Sequence, residues 1–286
     1  MFSRRHLILL LVFLAIFDFF VWSEIVFGRE RTTNKNSEVY FLDIGQGDSE
    51  LINLAGGVQI LIDGGPNKKI LDELASILPV TDRYIDLVIL SHPQYDHFAG
   101  LIDVLKRYQI GAFIYNGRNG EIKAFEDLEK VLKENKIKTI VLVQGDKIKY
   151  RNNQLDIISP ASDFLKSKEL NDTSLVISLQ SAGAKFLFTG DIGFAVENYL
   201  AKNFDLKSDV LKVAHHGSRY SSGEEFLKKV NPKISVIEVG KNSYGHPTSQ
   251  ALNGLASVGS RVFRTDYDGT IKLIINGNKI DILKRK

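Results

Sequence analysis

The sequence predicts a mixed α/β domain built as a four-layer αββα sandwich, with two sheets packed face to face and helices outside. From residue 38 onward, short apolar runs rich in β-formers alternate with helical patterns, which is typical of α/β folds. The alternation occurs in two successive blocks, each with hairpin strands followed by β-α units, and therefore indicates two sheets. We expect this domain over residues 38–286, after a segment at 1–28 and a linker at 29–37.

The first block opens with three short strands separated by glycine-rich turns, predicted at 39–44, 50–54 and 58–62. Apolar spacing then predicts helices and strands in alternation. In chain order these are a helix at 68–78, a strand at 87–90, a helix at 98–108, a strand at 112–115, a helix at 124–135 and a strand at 139–143.

The second block opens with a predicted hairpin at 147–150 and 155–158, because two β-rich runs are joined by a short polar turn. Strands and helices follow in alternation. They are predicted as strands at 174–180 and 185–189, a helix at 194–201, a strand at 210–214, a helix at 224–230, a strand at 234–239, a helix at 249–257, and final strands near 262 and at 270–274.

Residues 1–28 predict a membrane anchor. Arg4 and Arg5 precede a nearly continuous apolar run at 7–27, which at about 1.5 Å per residue can cross a hydrocarbon core about 30 Å thick. The absence of a small-x-small site disfavours a cleaved signal peptide, although cleavage at an atypical site stays open. The preceding basic residues place the N-terminus in the cytoplasm and the domain on the extracytoplasmic side.

Composition limits the chemistry. The chain contains no cysteine, so disulfides, cysteine nucleophiles and thiolate metal sites are excluded, and any metal must be held by His, carboxylate or amide groups. The net charge of +3 comes from 37 basic and 34 acidic residues that are scattered along the chain. This pattern favours an ordinary mixed-charge surface over a basic nucleic-acid groove.

The densest group of chemically active residues follows the predicted strand at 87–90. His92, Asp96 and His97 lie within six residues on a tight turn before a helix. Two imidazoles and a carboxylate so placed can converge on one divalent cation such as zinc, manganese or iron. The alternative is that Asp96 only caps the following helix while the histidines face solvent.

Further strand ends carry similar groups. Asp191 ends an apolar strand in Thr-Gly-Asp, His215 and His216 follow the next strand in His-His-Gly-Ser, and His246 lies in Gly-His-Pro. Each segment alone fits an ordinary turn, but together they supply the separated ligands that a cation needs. Asp48 and Asp63 fit either turn chemistry or the orientation of histidine ligands from behind.

Six short motifs occur in a characteristic order: Asp-x-Gly-Gln-Gly-Asp, Ile-Asp-Gly-Gly, Ser-His-x-x-x-Asp-His, Thr-Gly-Asp, His-His-Gly-Ser and Gly-His-Pro. Over residues 39–274 this pattern resembles the hydrolase domain of ComEC-like DNA internalisation competence proteins, in the metallo-β-lactamase superfamily. The resemblance implies the αββα fold, a divalent metal centre and a hydrolytic activity.

The resemblance also implies roles for individual residues. It makes Asp191 the carboxylate that bridges two metals, His215 the distal ligand of the second site with His216 beside it, and Asp63 the buried aspartate beneath the ligand loop. The metal ligands would be His92, Asp96, His97, Asp191 and His215, and the catalytic groups Asp96, Asp191 and His246. Supporting positions would be Asp48, Asp63, Gln94, His216 and Ser218, with Asn171, Asp172 and Ser174 where many relatives carry another histidine.

Gln94 departs from the family pattern, because most relatives have a histidine or an aspartate there. An amide oxygen binds cations more weakly than either, so the first site, built from His92, Gln94 and Asp191, is expected to be weak or empty. The second site, built from Asp96, His97, Asp191 and His215, keeps all its ligands. The expected cofactor is therefore zinc or manganese at one complete site, with a second site in doubt.

By resemblance, the expected function is metal-activated hydrolysis of a phosphodiester, so a nuclease or phosphodiesterase that acts on DNA by metal-activated water. Two alternatives stay open. One is a hydrolase of small esters, thioesters or lactams at the same centre, and the other is a degenerate DNA-binding or scaffold protein without turnover. Because a single anchor cannot move DNA across a membrane, we do not expect this chain to be the uptake channel, and the sequence identifies no protein partner.

Overall fold

The computed structural model describes residues 6, 12–14, 16–18, 35–277 and 279–286. Most of the predicted anchor and linker therefore lies outside the described residues. Within the part that is described, no helix combines the length and the apolar character needed to span a bilayer. The first strand begins at Ser37, one residue inside the predicted linker.

Among the described residues the first sheet has eight strands. These are β1 (Ser37–Phe41), β2 (Glu50–Asn53), β3 (Gln59–Ile62), β4 (Tyr84–Ile89), β5 (Gln109–Tyr115), β6 (Thr139–Val141), β14 (Thr270–Asn276) and β15 (Lys279–Arg285). Their spatial order is β15-β14-β1-β2-β3-β4-β5-β6. The strands from β3 to β6 run parallel to one another, whereas the remaining neighbours are antiparallel.

The second sheet has seven strands in the described part of the chain. They are β7 (Lys147–Tyr150), β8 (Asn153–Ser159), β9 (Val176–Ser181), β10 (Ala184–Phe188), β11 (Val210–Lys212), β12 (Ile234–Ile237) and β13 (Arg261–Arg264). The spatial order is β13-β12-β11-β10-β9-β8-β7. Here β10 to β13 are parallel, so each sheet combines a hairpin region with a parallel region, as the two blocks of the sequence predict.

Helices cover the outer face of each sheet. They are α1 (Lys69–Ile77), α2 (Tyr95–Arg107), α3 (Lys123–Glu134), α4 (Phe194–Asn203), α5 (Glu224–Val230), α6 (Ser249–Ser257) and the short α7 (Thr265–Asp268). In α2, buried Phe98, Leu101 and Leu105 recur at helical spacing, and this apolar face packs on the first sheet. Helices α4 to α6 pack in the same way on the second sheet.

The inner faces of the two sheets form a shared apolar core. Phe41 of β1 stacks on Phe188 of β10 with ring centroids 6.1 Å apart, and buried side chains from both sheets surround this pair. The arrangement confirms the predicted sandwich of two sheets with helices outside. Strand β15, helix α7 and three short 3-10 turns at Phe164–Lys166, Leu170–Thr173 and Ala214–Gly217 were not predicted.

Candidate metal centre

The centre lies where parallel strands of both sheets end. The turns after β3 and β4 carry Asp63 and the loop with His92, Asp96 and His97, and the turns after β10 and β11 carry Asp191 and the two adjacent histidines. His97 Nε2 of the first sheet is 3.4 Å from Asp191 Oδ2 of the second. The side chains that the sequence placed at strand ends therefore converge from both halves of the sandwich.

Asp63 fixes the loop that follows β4. Its carboxylate accepts hydrogen bonds from the backbone N–H of Ser91 at 2.8 Å, from Ser91 Oγ at 2.6 Å and from His97 Nδ1 at 2.8 Å. A carboxylate bonded to Nδ1 requires a proton on that nitrogen, so Nε2 is the His97 nitrogen that can bind a cation. Asp63 is buried and adopts φ 54°, in the left-handed region, which brings its side chain under the loop.

Four side chains form a set whose ligand atoms face one another. His216 Nε2 is 3.5 Å from Asp191 Oδ2 and 3.3 Å from Asp96 Oδ2, and His97 Nε2 is 4.0 Å from Asp96 Oδ1. Ligands at about 2.0–2.2 Å from a tetrahedral zinc lie roughly 3.3–3.6 Å apart. The separations of Asp191 from His97 and His216, and of His216 from Asp96, therefore fit ligands of one divalent cation, while the His97–Asp96 pair is wider at 4.0 Å.

Two further observations support this fit. His97 Nε2 and Asp191 Oδ1 are buried, and neither has a hydrogen-bond partner in the described structure, although buried polar atoms are normally paired. In addition, Asp48, Asp63 and Asp191 are each buried almost completely, and each belongs to a metal-compatible group with His97 or His216. Buried carboxylates are stable only beside cationic groups or a metal ion.

Among the described residues, the metal-compatible groups include His216 and not His215, whereas the resemblance makes His215 the ligand. His216 is buried, and its Nδ1 donates to the carbonyl of Glu238 at 2.8 Å, so Nε2 is the nitrogen that can bind a cation once its proton is displaced. His215 Nε2 is 4.0 Å from Asp191 Oδ2, with 30% of the side chain exposed. Both residues have left-handed backbone angles, with φ 50° and 52°, and this turn directs the second imidazole inward.

His92 and Gln94 form the neighbouring part of the centre. Ser91 Oγ donates to Asp63, so it accepts from His92 Nδ1, which lies 3.0 Å away. The remaining lone pair of His92 Nε2 then faces Gln94 Oε1 at 3.2 Å. Two acceptors at this separation suit a shared cation, but an amide oxygen is a weak ligand. Burial, followed by the charge of His97, lowers the pKa of His92 to about 3, so the imidazole is neutral.

Lys212 is a part of the centre that the sequence reasoning missed. Its side chain is fully buried, and Nζ donates to Asp48 Oδ2 and, at 3.0 Å, to the carbonyl of Gly190. It also lies 3.6 Å from Asp191 Oδ1. Burial lowers the pKa of Lys212, but Asp48 and Asp191 outweigh that effect and raise it. The signal in the sequence that could have identified it is a single lysine in the apolar run of β11.

Electrostatics sets the protonation of the other groups. Burial lowers the pKa of His216, but Asp191 and Asp48 outweigh it and raise the pKa to about 10. Burial raises the pKa of Asp191, but His216 and His97 outweigh it and hold the pKa well below its usual value. Asp96 behaves similarly, with burial opposed by His216 and His97, and its pKa is lowered. Both carboxylates are therefore ionised at neutral pH.

His246 lies beside the two adjacent histidines, at the rim of the centre, and its role near the reacting group stays a prediction. Its ring centroid is 5.5 Å from that of His215 and 6.4 Å from that of His216. Burial, and then the charges of His215 and His216, lower its pKa to about 4. The loop can approach because position 217 is glycine: a Cβ there would lie 2.6 Å from Cβ of Pro247.

The remaining predicted positions divide into two groups. Asn171 Nδ2 lies 3.3 Å from His215 Nδ1, and Ser174 Oγ accepts weakly from the backbone N–H of Asp191 at 3.4 Å, so both adjoin the centre. Asp172 instead accepts from Ser167 Oγ at 2.9 Å, and Ser218 Oγ accepts from the N–H of Tyr220 at 3.3 Å. The contacts of these last two residues organise their own loops.

Comparison with known proteins is consistent with this geometry. Residues 42–240 match the family model described as the metallo-beta-lactamase superfamily. The chain is 30% identical over 263 residues to ComE operon protein 3 of Bacillus subtilis, covering 84% of this chain and 33% of that protein. It is 28% identical over 250 residues to competence protein ComA of Neisseria gonorrhoeae, covering 85% and 33%. The chain thus spans about a third of the length of these curated relatives.

Among solved structures, the metallo-beta-lactamase fold protein YhfI from Bacillus subtilis has a similar fold. The TM-score is 0.57 at 13% sequence identity, and the match covers 84% of this chain and 100% of that chain. At this identity the likeness concerns the fold alone.

Proposed function

The chain belongs to the metallo-beta-lactamase superfamily, and from this premise we propose that it is a metal-dependent phosphodiesterase or nuclease that acts on DNA. The observation that carries the proposal is the convergence of Asp96, His97, Asp191 and His216 at separations of 3.3–4.0 Å. The similarity to a protein named for competence, ComA of Neisseria gonorrhoeae, supports DNA as the substrate.

We assign the metal ligands to those four residues, and we assign His92 and Gln94 to the weaker first site. A bound zinc or manganese ion would supply a Lewis acid and would lower the pKa of a coordinated water. Asp63 holds His97 in the tautomer that presents Nε2, and the carbonyl of Glu238 does the same for His216. These outer contacts orient the ligands before any substrate arrives.

Two groups of the chain would act on the reacting atoms. Asp96 is ionised, and 33% of its side chain is exposed, so it can accept a proton from an attacking water. His246 is neutral at pH 7, because its pKa is lowered to about 4. A neutral imidazole can donate an N–H hydrogen bond to a phosphoryl or leaving oxygen that gains negative charge.

The membrane anchor and the extracytoplasmic position of the domain stay part of the proposal, on the basis of Arg4, Arg5 and the apolar run at 7–27. The substrate would then be DNA outside the cytoplasm. Proteolysis of intact cells and of inverted membrane vesicles tests this orientation. Cleavage of the domain only in inverted vesicles would contradict it.

The proposed function is tested on the full chain by elemental analysis for zinc and manganese together with assays of single-stranded DNA and bis(p-nitrophenyl) phosphate. His216→Ala is expected to lose both bound metal and hydrolysis, whereas the adjacent His215→Ala is expected to retain metal. Metal retention in His216→Ala would contradict the ligand set. Wild-type protein that retains no metal and hydrolyses neither substrate with any added ion would favour a DNA-binding or scaffold role.

A further inference from the structure

An exposed aromatic ring extends the centre outward at the His246 rim. The Tyr244 side chain is 69% exposed, and its ring centroid lies 5.8 Å from that of His246 with an angle of 32° between the rings. His246 in turn contacts His215 and His216. Tyr244 is therefore separated from the candidate metal ligand His216 by one imidazole ring.

The loop that carries Tyr244 is held in place by an asparagine. Asn242 Oδ1 accepts from the backbone N–H groups of Tyr244 at 3.1 Å and His246 at 3.0 Å. Its Nδ2 donates to the carbonyls of Gly240 and His246, both at 2.9 Å. All four hydrogen bonds available to an asparagine side chain are thus formed within the loop. The ring is presented by an ordered segment rather than by a loose one, as a preorganised contact requires.

A positive charge lies at the same rim. Arg219 is exposed, and its charge is among those that lower the pKa of His246, after burial and the two other histidines. An exposed aromatic ring and an arginine near the same histidine, next to a proposed site for phosphodiesters, are the combination by which proteins bind single-stranded nucleic acid. The ring stacks on a base and the guanidinium attracts the backbone.

We infer that Tyr244 is a stacking platform for an unpaired nucleobase next to the phosphodiester that enters the centre. The inference rests on the proposed function and assigns the substrate as a single strand or an unwound end. Inside a duplex both faces of a base are already covered by its neighbours, so the platform selects a base that has left the stack. Tyr244 contributes to substrate binding and takes no part in the bond cleavage.

The test compares two strands of equal length, a short oligodeoxythymidylate and a strand of abasic tetrahydrofuran residues, cleaved by the full chain with manganese at fixed salt. Tyr244→Ala is expected to lower kcat/KM for the thymidylate strand by roughly 5- to 150-fold, mainly through KM, as expected when one stacked base is lost. On the abasic strand, Tyr244→Ala should have the same kcat/KM as the wild type. Tyr244→Trp should retain wild-type activity on both strands.

Tyr267→Ala is the matched control, because Tyr267 is 64% exposed but packs over Arg264, whose Cζ is 4.0 Å from the ring centroid. This control should leave both rates unchanged, and the metal content of Tyr244→Ala should equal that of the wild type. Equal losses on the two strands, or no loss with thymidylate, would overturn the inference while leaving the proposed function intact. If the wild type cleaved neither strand, the proposed function itself would fail first.

Discussion

Replacing Lys212 with methionine removes a buried ammonium while keeping the length of the side chain. Lys212 is fully buried between Asp48 and Asp191, and it also donates to the carbonyl of Gly190. The variant leaves two buried carboxylates without this counter-charge. Removing one partner from a buried ion pair typically costs about 3–5 kcal/mol of unfolding free energy. For a domain of this size, that corresponds to a fall in Tm of roughly 6–20 °C.

A divalent cation at the centre would offset part of the same negative charge. We therefore expect added manganese to raise the Tm of Lys212→Met by more than it raises the Tm of the wild type. Circular dichroism melts of both proteins, with a chelator and with manganese, measure the two differences. The expectation concerns stability and does not depend on the identity of the substrate.

A partly exposed ion pair provides the control. Lys272 Nζ lies 2.8 Å from Glu38 Oε1, and 25% of the lysine side chain is exposed, so Lys272→Met should cost at most about 1 kcal/mol. If Lys212→Met lost no more stability than this control, the assignment of Lys212 as the counter-charge of the centre would be refuted. An equal response of variant and wild type to manganese would refute the electrostatic link to the metal site.

Three further predictions concern the ligands. Asp63→Asn should weaken metal affinity by roughly 10- to 100-fold, measured by calorimetric titration, because His97 loses the carboxylate that fixes its tautomer; unchanged affinity would contradict this role. Gln94→His should raise the bound metal from near one to near two per chain by elemental analysis, since an imidazole replaces a weak amide ligand; an unchanged ratio would count against the first site. The pKa of His216 is raised to about 10, so a cation must displace a proton from this imidazole in order to bind. Metal affinity should therefore rise between pH 6 and 8, by up to about tenfold per pH unit for each proton displaced. Binding that does not depend on pH would rule this out.

The sequence predicted the fold well where periodicity is strong. The boundaries of α5 and α6 match the predictions at 224–230 and 249–257, because each helix has a clear apolar face and a defined start. Helix α7 has four residues, fewer than two turns, so no period can be read from it. Strand β15 lies at the sheet edge, where its exposed charged positions hide the alternation by which strands are recognised.

The choice between His215 and His216 shows where pattern reasoning ends. The sequence located both imidazoles at the end of β11, and the resemblance favoured His215 as the ligand, whereas the structure buries His216. That outcome depends on two consecutive left-handed residues, a conformation that is uncommon outside glycine. It also depends on the carbonyl of Glu238, which accepts from His216 Nδ1 and is far away in sequence.

Lys212 and Glu238 illustrate a second limit. Each interrupts an otherwise apolar strand region, so the sequence marks them as unusual, but it does not indicate their partners. Glu238 lies just beyond β12, and its Oε1 accepts from the backbone N–H of Ser49 at 3.0 Å. Lys212 meets Asp48 across 164 positions. Only the packing of one sheet against the other brings these groups together.

The centre therefore also joins the two halves of the sandwich at one edge. Asp48 and His97 come from the first sheet, and their partners Lys212, Asp191 and His216 come from the second. A cation held by His97 and Asp191 would add another link between the sheets, so binding energy at the site would also be stabilisation of the fold. Because buried carboxylates repel one another when their counter-charges are removed, the same edge is where we expect the metal-depleted protein to open first. Faster hydrogen exchange after chelation, at the backbone amides of Asp191 and His97 but not at those of the core strand β9, would show that the metal ligands hold the sheets together.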